Sequence, residues 1–271
     1  MPSGFDKKRI LIVHPEGNIN NNPNLTGIVE ILCESGCEVD IYSPRRDHIY
    51  QHTPCRGSRL VLIDGEGLSV EGMFVLSGQS FSTEQQISDY LREKFGCYDL
   101  AIGVDRGIID AALIAQANDI EYALISYEIF FGKETGSEFK RPVIKACQWL
   151  DFAVCQDPVR ARYLAVENGI SLKKIINIPV AGRQTREASK SYYLHDKLSI
   201  PRDKRIVLFM GSIDKWSGVD LITQSVINWP DPWVLVLHNR YGLDDHTRGY
   251  FEKYKDSNKI FFSTDPVVDP N

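Results

Sequence analysis

The sequence predicts an α/β protein with mostly parallel β-sheets, and three of its features support this. Short runs of aliphatic and β-branched residues alternate with segments in which apolar residues recur at helical spacing. The strand-like runs, such as RILIV at residues 9–13, are continuously apolar, which is typical of parallel strands covered on both faces. The alternation restarts after a polar stretch at residues 181–200, which indicates a second domain.

The elements of the first domain follow in order along residues 1–182, which we expect to form one doubly wound domain. Gly36 and Gly169 mark the expected ends of two of its helices, because glycine is the usual residue just after a helix. The predicted strands lie at residues 9–13, 37–42, 59–63, 72–76, 99–104, 122–126, 151–156 and 174–179. The predicted helices lie near residues 25–33, 87–95, 108–113, 142–150 and 158–168.

A connector at residues 183–200 and a second domain at residues 201–271 follow. The second domain has predicted strands at 205–210, 233–238 and 259–262 and predicted helices at 219–229 and 244–255. Three strands and two helices are half of a nucleotide-binding domain. We therefore expect this domain to be incomplete, with the remainder lying in a longer form of the chain or in a second polypeptide.

Composition and charge exclude several classes of protein. The chain is 43% hydrophobic and 25% charged, which is ordinary for a soluble globular protein, and its net charge of −5 predicts no nucleic-acid partner. No apolar run approaches the roughly 18 residues that span a bilayer. The N-terminal residues lack the apolar core of a signal peptide, so we expect a cytoplasmic protein.

The six cysteines give no indication of a metal site. They include no C-x-x-C pair and no histidine partner at metal-ligand spacing. Buried, reduced thiols are the favoured interpretation, and they fit a reducing compartment. We expect no metal and no cofactor.

The beginning of the second domain carries a resemblance to a known family. Residues 200–213 read IPRDKRIVLFMGSI, and Gly218 precedes the next predicted helix. This passage resembles the start of the donor domain in retaining glycosyltransferases of family 4, whose GT-B architecture consists of two Rossmann-like domains. In that family an apolar strand is followed by Gly-Arg, a few residues, Lys-Gly and a helix. Residues 157–164 (DPVRARYL) and 173–179 (KKIINIP) resemble the family's preceding passages.

The resemblance implies that the donor diphosphate binds at Gly211, Ser212, Lys215 and Arg240. A glycine there lets the backbone approach the diphosphate, and the helix N-terminus supplies unpaired N–H groups. The chain departs from the family at Ser212, where arginine is usual, and at Ser217, where lysine is usual, so Lys215 would have to replace a cation. Alternatively, Gly211 and Gly218 only shape the turn between strand and helix.

The loop after the first strand corresponds in position to the family's acceptor-side loop. Ligands in open α/β sheets bind beyond the carboxyl ends of the strands, and five asparagines in this loop suit sugar hydroxyls. Alternatively, the loop is a solvated turn whose asparagines cap the next helix. The candidate acceptor-side residues are His14, Gly17, Asn18 and Asn24.

Two acidic residues are candidate catalytic groups. Asp105 follows the strand at residues 99–104, where its carboxylate could hydrogen-bond a sugar or an acceptor hydroxyl, although it could instead cap the next helix. Glu128 follows the strand at residues 122–126, where related enzymes carry a histidine near the reacting sugar. An ordinary salt bridge is the alternative role of Glu128.

The resemblance implies a hexosyltransferase of polysaccharide biosynthesis. Its substrates would be a nucleotide-diphosphate sugar and a carbohydrate or lipid-linked acceptor, with retention of configuration and without a metal. A lipid-linked acceptor would allow peripheral membrane contact. The alternative is a degenerate, non-catalytic relative that acts as a binding or partner protein. A nucleotide-sugar epimerase of the same architecture is a third interpretation, for which the sequence offers no acid–base pair.

Overall fold

The computed structural model describes residues 7–17, 19, 22–44, 55–63, 73–76, 78–181, 191–213, 217–239 and 245–264. The chain divides into two compact units, Met1–Thr185 and Arg186–Asn271. Both units have parallel sheets with helices on their connections, so the predicted α/β class is confirmed. None of the described helices is long and apolar enough to span a membrane.

The first unit is built on a seven-stranded sheet with the order β3-β2-β1-β4-β5-β6-β7. Every described pairing in it is parallel, and the register places Ile10 of β1 beside both Val39 and Leu100. The strands are β1 (Arg9–Val13), β2 (Glu38–Pro44), β3 (Arg59–Ile63), β4 (Leu100–Val104), β5 (Glu121–Ile125), β6 (Phe152–Cys155) and β7 (Ile175–Asn177). Seven of the eight predicted strands are therefore confirmed.

The predicted strand at residues 72–76 is wrong. Residues 73–76 are described, and they form a bridge residue followed by a bend and a turn rather than a strand. The backbone N–H of Val75 donates to the buried Asp110 carboxylate at 2.8 Å, so a side chain satisfies the group that a neighbouring strand would have paired. Met73, Phe74 and Leu76 are buried, which explains why the run is as apolar as a strand.

The helices of the first unit begin and end at local signals. Asn22 caps the first helix by accepting from the Leu25 N–H, and Asp157 caps the last by accepting from the N–H groups of Val159 and Arg160. Gly169, with φ 68°, ends that last helix in the left-handed conformation. The helices are α1 (Pro23–Glu34), α2 (Glu84–Phe95), α3 (Ile108–Asn118), α4 (Gly132–Thr135), α5 (Ser137–Cys147) and α6 (Pro158–Asn168).

One helix begins earlier than its sequence predicts. We expect a helix at residues 142–150, but α5 begins at Ser137, ends at Cys147 and includes Pro142 in its interior. Val143, Ala146 and Cys147 lie on its buried face. Their burial compensates for the backbone hydrogen bond that a proline cannot donate inside a helix.

The sheet of the first unit has an apolar core on both faces. Leu11 and Val13 of β1 join one cluster of buried side chains, and Ile10 and Ile12 join the other. The connection after β4 lies directly against the end of β1, because a Cβ at Gly107 would come within 2.2 Å of the Val13 carbonyl oxygen. This close approach brings the loops after β1 and β4 together.

The second unit has a three-stranded parallel sheet with the order β10-β9-β8. Its strands are β8 (Arg205–Met210), β9 (Trp233–His238) and β10 (Ile260–Ser263), and its helices are α7 (Tyr193–Lys197), α8 (Val219–Ser225) and α9 (Asp245–Tyr254). The predicted helix at residues 219–229 is shorter than expected, since α8 gives way to a 3₁₀ turn at Val226–Asn228. The Thr223 hydroxyl donates to the Val219 carbonyl at 2.8 Å, a local bond that competes with regular helix.

The contact between Gly107 and β1 gives a stability prediction. In Gly107→Ala the new methyl group would meet the Val13 carbonyl oxygen at 2.2 Å, and a backbone atom cannot move aside easily. We expect the free energy of unfolding of the first unit to fall by about 1–3 kcal/mol, measured by urea denaturation. Gly249→Ala is the control, because that position in α9 faces open space and alanine favours helix. Equal stability of the Gly107 variant and the wild type would contradict the close packing.

Candidate functional site

The carboxyl ends of the strands of the first unit form a polar edge. In open α/β sheets ligands bind at this edge, beyond the ends of the strands. Asp105 follows β4 directly, and Ser126 and Tyr127 follow β5. His14 follows β1, and Gln156 follows β6. Because these strands are parallel, their final residues and the loops after them lie at the same edge.

Asp105 joins the loops after β4 and β5. Its Oδ1 accepts hydrogen bonds from the backbone N–H groups of Tyr127 at 2.8 Å and Glu128 at 2.9 Å. Its side chain caps neither the 3₁₀ turn Asp105–Gly107 nor α3, so helix capping is not its role. Its φ of 48° is in the left-handed region, which few residues other than glycine, asparagine and aspartate adopt. The two hydrogen bonds hold the backbone in this conformation.

The Asp105 carboxyl titrates near neutrality. Burial raises its pKa from 3.8 to about 7, with further increases from the negative charges of Glu16 and Glu128. The N–H donors of Glu128 and Tyr127 oppose this by stabilising the carboxylate. A carboxyl group with a pKa near 7 at the ligand-binding edge of a sheet can both take and give a proton at physiological pH.

Glu128 is exposed beside Asp105. Its backbone carbonyl accepts from the Ser126 hydroxyl at 2.9 Å, and its N–H is held by Asp105, so its backbone position is fixed. In the described part of the chain no ion pair includes its carboxylate. The alternative that Glu128 forms an ordinary salt bridge has no support among those residues.

A buried lysine fixes the loop that continues from Glu128. Lys140 of α5 is 4% exposed, and its Nζ donates to the Phe130 carbonyl and to Asn168 Oδ1. Glu167 lies 3.7 Å from the same Nζ and accepts from the Gly132 N–H at 2.9 Å. Burial lowers the pKa of Lys140, and the charge of Glu167 opposes this. Paired in this way, the buried ammonium ties the loop to α5 and α6.

Three of the candidate acceptor-side residues, His14, Gly17 and Asn24, are buried. His14 is 2% exposed, and its Nδ1 lies 3.1 Å from Glu16 Oε2. Gly17 is buried with φ 71°, a conformation that glycine adopts without strain. Asn24 is 6% exposed and uses both polar atoms internally. Asn18 lies outside the described residues.

The sequence analysis assigns no role to two residues at this edge, Tyr127 and Arg106. Tyr127 accepts through its carbonyl from Gln156 Nε2 at 3.0 Å and Arg160 Nη2 at 2.6 Å. Arg106 lies with its guanidinium carbon 4.1 Å from the Phe139 ring centroid, and burial lowers its pKa. The sequence signal that could have found these two residues is their position just after strands. Their partners could not be predicted, because they come from distant segments of the chain.

The predicted donor loop lies at the carboxyl end of β8 in the second unit. The Gly211 N–H donates to the His238 carbonyl at 3.1 Å, and Ser212 is exposed. Gly218 has φ 70° and immediately precedes α8, a position that glycine fills without strain. Lys215 and Arg240 lie outside the described residues. In the described part of the chain no group of three or more His, Cys, Asp or Glu residues could hold a metal ion.

The comparisons with known proteins give the architecture. No family model matches the sequence, and neither does any curated protein. The structure is similar to that of HepE from Anabaena, solved with UDP and glucose, with a TM-score of 0.70 and 11% identity over 96% of this chain and 70% of that chain. It is also similar to a glycosyltransferase from Rickettsia africae, with a TM-score of 0.64 and 13% identity over 97% of this chain and 69% of that chain.

A third similar structure is sucrose-phosphate synthase from Thermosynechococcus elongatus. The TM-score is 0.62, with 14% identity over 96% of this chain and 71% of that chain. Each of these likenesses extends over both units of the chain, so it includes both parallel sheets. The chain therefore has the GT-B fold of the glycosyltransferases, with two Rossmann-like units.

Proposed function

We propose that this protein is a glycosyltransferase that transfers a hexose from a nucleotide-diphosphate sugar to a carbohydrate or lipid-linked acceptor. The observation that carries the proposal is the likeness over 96% of the chain to HepE, which was solved with UDP-glucose and with UDP and glucose. From the resemblance of residues 200–213 to family 4, we infer that the transfer proceeds with retention and without a metal. A cytoplasmic location is part of the same proposal.

The acceptor side of the proposed reaction lies at the polar edge of the first unit. There Asp105, with a pKa of about 7, would accept a hydrogen bond from the acceptor hydroxyl and take its proton as the new bond forms. Glu128, whose backbone Asp105 fixes, would orient the acceptor or balance positive charge that develops on the sugar. His14, Gly17, Asn18 and Asn24 would shape the loop beside it.

The donor side lies in the loop after β8. Gly211 and the hydroxyl of Ser212 would contact the diphosphate, with Lys215 and Arg240 supplying positive charge. Ser212 and Ser217 replace cations that are usual in the family, so we expect weak nucleotide binding. The same two serines favour a second candidate function, a non-catalytic relative that keeps the fold and binds a partner or a glycan.

A charge-restoration experiment separates the two functions. We expect the wild type to bind UDP-glucose weakly and the double variant Ser212→Arg, Ser217→Lys to bind about 10–100-fold more tightly, because each new cation adds a charge-assisted contact. Titration calorimetry measures the affinities. The matched control is Gln224→Arg, Asn228→Lys, which adds two cations at exposed positions of the same unit.

The outcomes of this experiment are distinct. Transfer or hydrolysis of a nucleotide sugar by the wild type supports the enzyme, whereas tight binding by the double variant without turnover supports the non-catalytic relative. If neither form binds any member of a panel of nucleotide sugars, the glycosyltransferase proposal is wrong. An equal gain in the control would show that the loop after β8 is not the donor site.

The pH dependence of transfer tests the role of Asp105. A base must be deprotonated, so we expect kcat/KM to rise with pH up to the group's pKa of about 7 and then to level off. Asp105→Asn should remove this rise and lower the rate about 10²–10⁴-fold. Asp119→Asn is the control, since Asp119 is exposed at the opposite end of α3 and asparagine tolerates its left-handed φ of 53°. An unchanged pH profile in Asp105→Asn would exclude the base role.

A further inference from the structure

Tyr127 makes hydrogen bonds to several segments of the first unit that are distant from it in the sequence. It lies two residues beyond the end of β5, and its backbone N–H donates to Asp105, which follows β4. Its carbonyl accepts from Gln156, which follows β6, and from Arg160 in the first turn of α6. The peptide groups of Tyr127 thus connect the ends of three neighbouring strands.

The phenol of Tyr127 extends this connection to two more segments. Its hydroxyl donates to Asn24 Oδ1 at 2.8 Å, and Asn24 lies in the first turn of α1, at the end of the acceptor-side loop. Asn24 Nδ2 in turn donates to the Pro179 carbonyl at 3.2 Å. Pro179 lies two residues beyond β7, where the chain leaves the sheet of the first unit.

The amide of Asn24 acts as a bridge because it offers one acceptor and one donor. Asn24 is 6% exposed, so loss of either partner would leave a polar atom poorly solvated. Along the sheet the connected strands are β1, β4, β5, β6 and β7, which are consecutive in the sheet order. Through Asn24, one tyrosine is therefore linked by hydrogen bonds to the first turn of α1 and to the segment that follows β7.

We propose that Tyr127 is a positioning residue that acts through Asn24, holding the end of the acceptor-side loop, in the first turn of α1, in register with the chain segment at Pro179. The proposal rests on the proposed function only in assigning the loop to the acceptor. The coupling itself is a property of the first unit. Loss of the hydrogen bond at one end of the Tyr127–Asn24–Pro179 bridge weakens the hydrogen bond at the other end.

Hydrogen exchange tests the coupling without any assay of activity. In Tyr127→Phe the ring remains and the hydroxyl is lost, so we expect the hydrogen-bonded amides in residues 22–26 and the amide of Ile178 in residues 178–181 to exchange about 3–10-fold faster. Tyr163→Phe is the matched control, because Tyr163 is an exposed tyrosine whose ring packs on Phe131. Faster exchange confined to the two segments in the Tyr127 variant supports the proposal.

A second variant separates the two halves of the bridge. Asn24→Asp keeps the acceptor for the Tyr127 hydroxyl but loses the donor to Pro179, so residues 178–181 should again exchange faster. Because both substitutions weaken one bridge, their combination should change exchange at 178–181 by less than the product of the single effects. The coupling would be overturned if the amides at 178–181 exchange at the wild-type rate in both single variants. It would also be overturned if the effects of the two substitutions on the exchange rate multiply in the double variant.

Kinetics then test the link to the reaction. If transfer is measurable, Tyr127→Phe should raise the acceptor KM about 3–10-fold with kcat changed less, since the phenol places the loop and does not touch the reacting atoms. A loss in kcat alone would overturn the positioning role while leaving the proposed transferase intact. A wild type without transfer would refute the proposed function, and the exchange experiment would still decide the coupling.

Discussion

The parallel pairing of β1 between β2 and β4 is the constraint on which the remainder of the first unit depends. Ile10, Ile12, Leu11 and Val13 are at most 4% exposed and alternate between two apolar clusters, so β1 cannot shift by one residue without exchanging its faces. Because each neighbour is parallel, the carboxyl ends meet at one edge. Gly107 then allows the loop after β4 to contact the end of β1, and this contact creates the candidate site.

Two buried aspartates lie in the segment after β4: Asp105 directly after the strand and Asp110 in the first turn of α3. Burial raises the pKa values of Asp105 and Asp110 from 3.8 to about 7. The folded state therefore keeps protons that the unfolded chain loses above pH 3.8, so these groups make folding less favourable as pH rises from there to about 7. Backbone N–H donors from Tyr127, Glu128 and Val75 offset part of this cost by stabilising the charged carboxylates.

The fold and the site support the proposed function in different ways. Structural likeness at 10–14% identity establishes the GT-B fold, whereas the reaction depends on individual side chains. At the proposed acceptor side, Asp105 is joined to Glu128 by a hydrogen bond from the Glu128 backbone N–H. In the loop proposed as the donor site, serines 212 and 217 stand where family 4, which residues 200–213 resemble, has cations. The proposed function therefore depends on whether the loop after β8 can hold a diphosphate.

The sequence by itself determined the α/β class and the seven confirmed strands of the first sheet. It also determined that the candidate residues lie at strand ends. These features can be predicted because hydrophobic periodicity and turn residues act locally. It could not exclude a strand at residues 72–76, since the acceptor that replaces strand pairing belongs to Asp110, far along the chain. It also left open whether Asp105 caps a helix. Only the tertiary structure decided that Asp105 bonds to Tyr127 and Glu128, and that Tyr127 reaches Asn24, because these partners are brought together by the order of strands in the sheet.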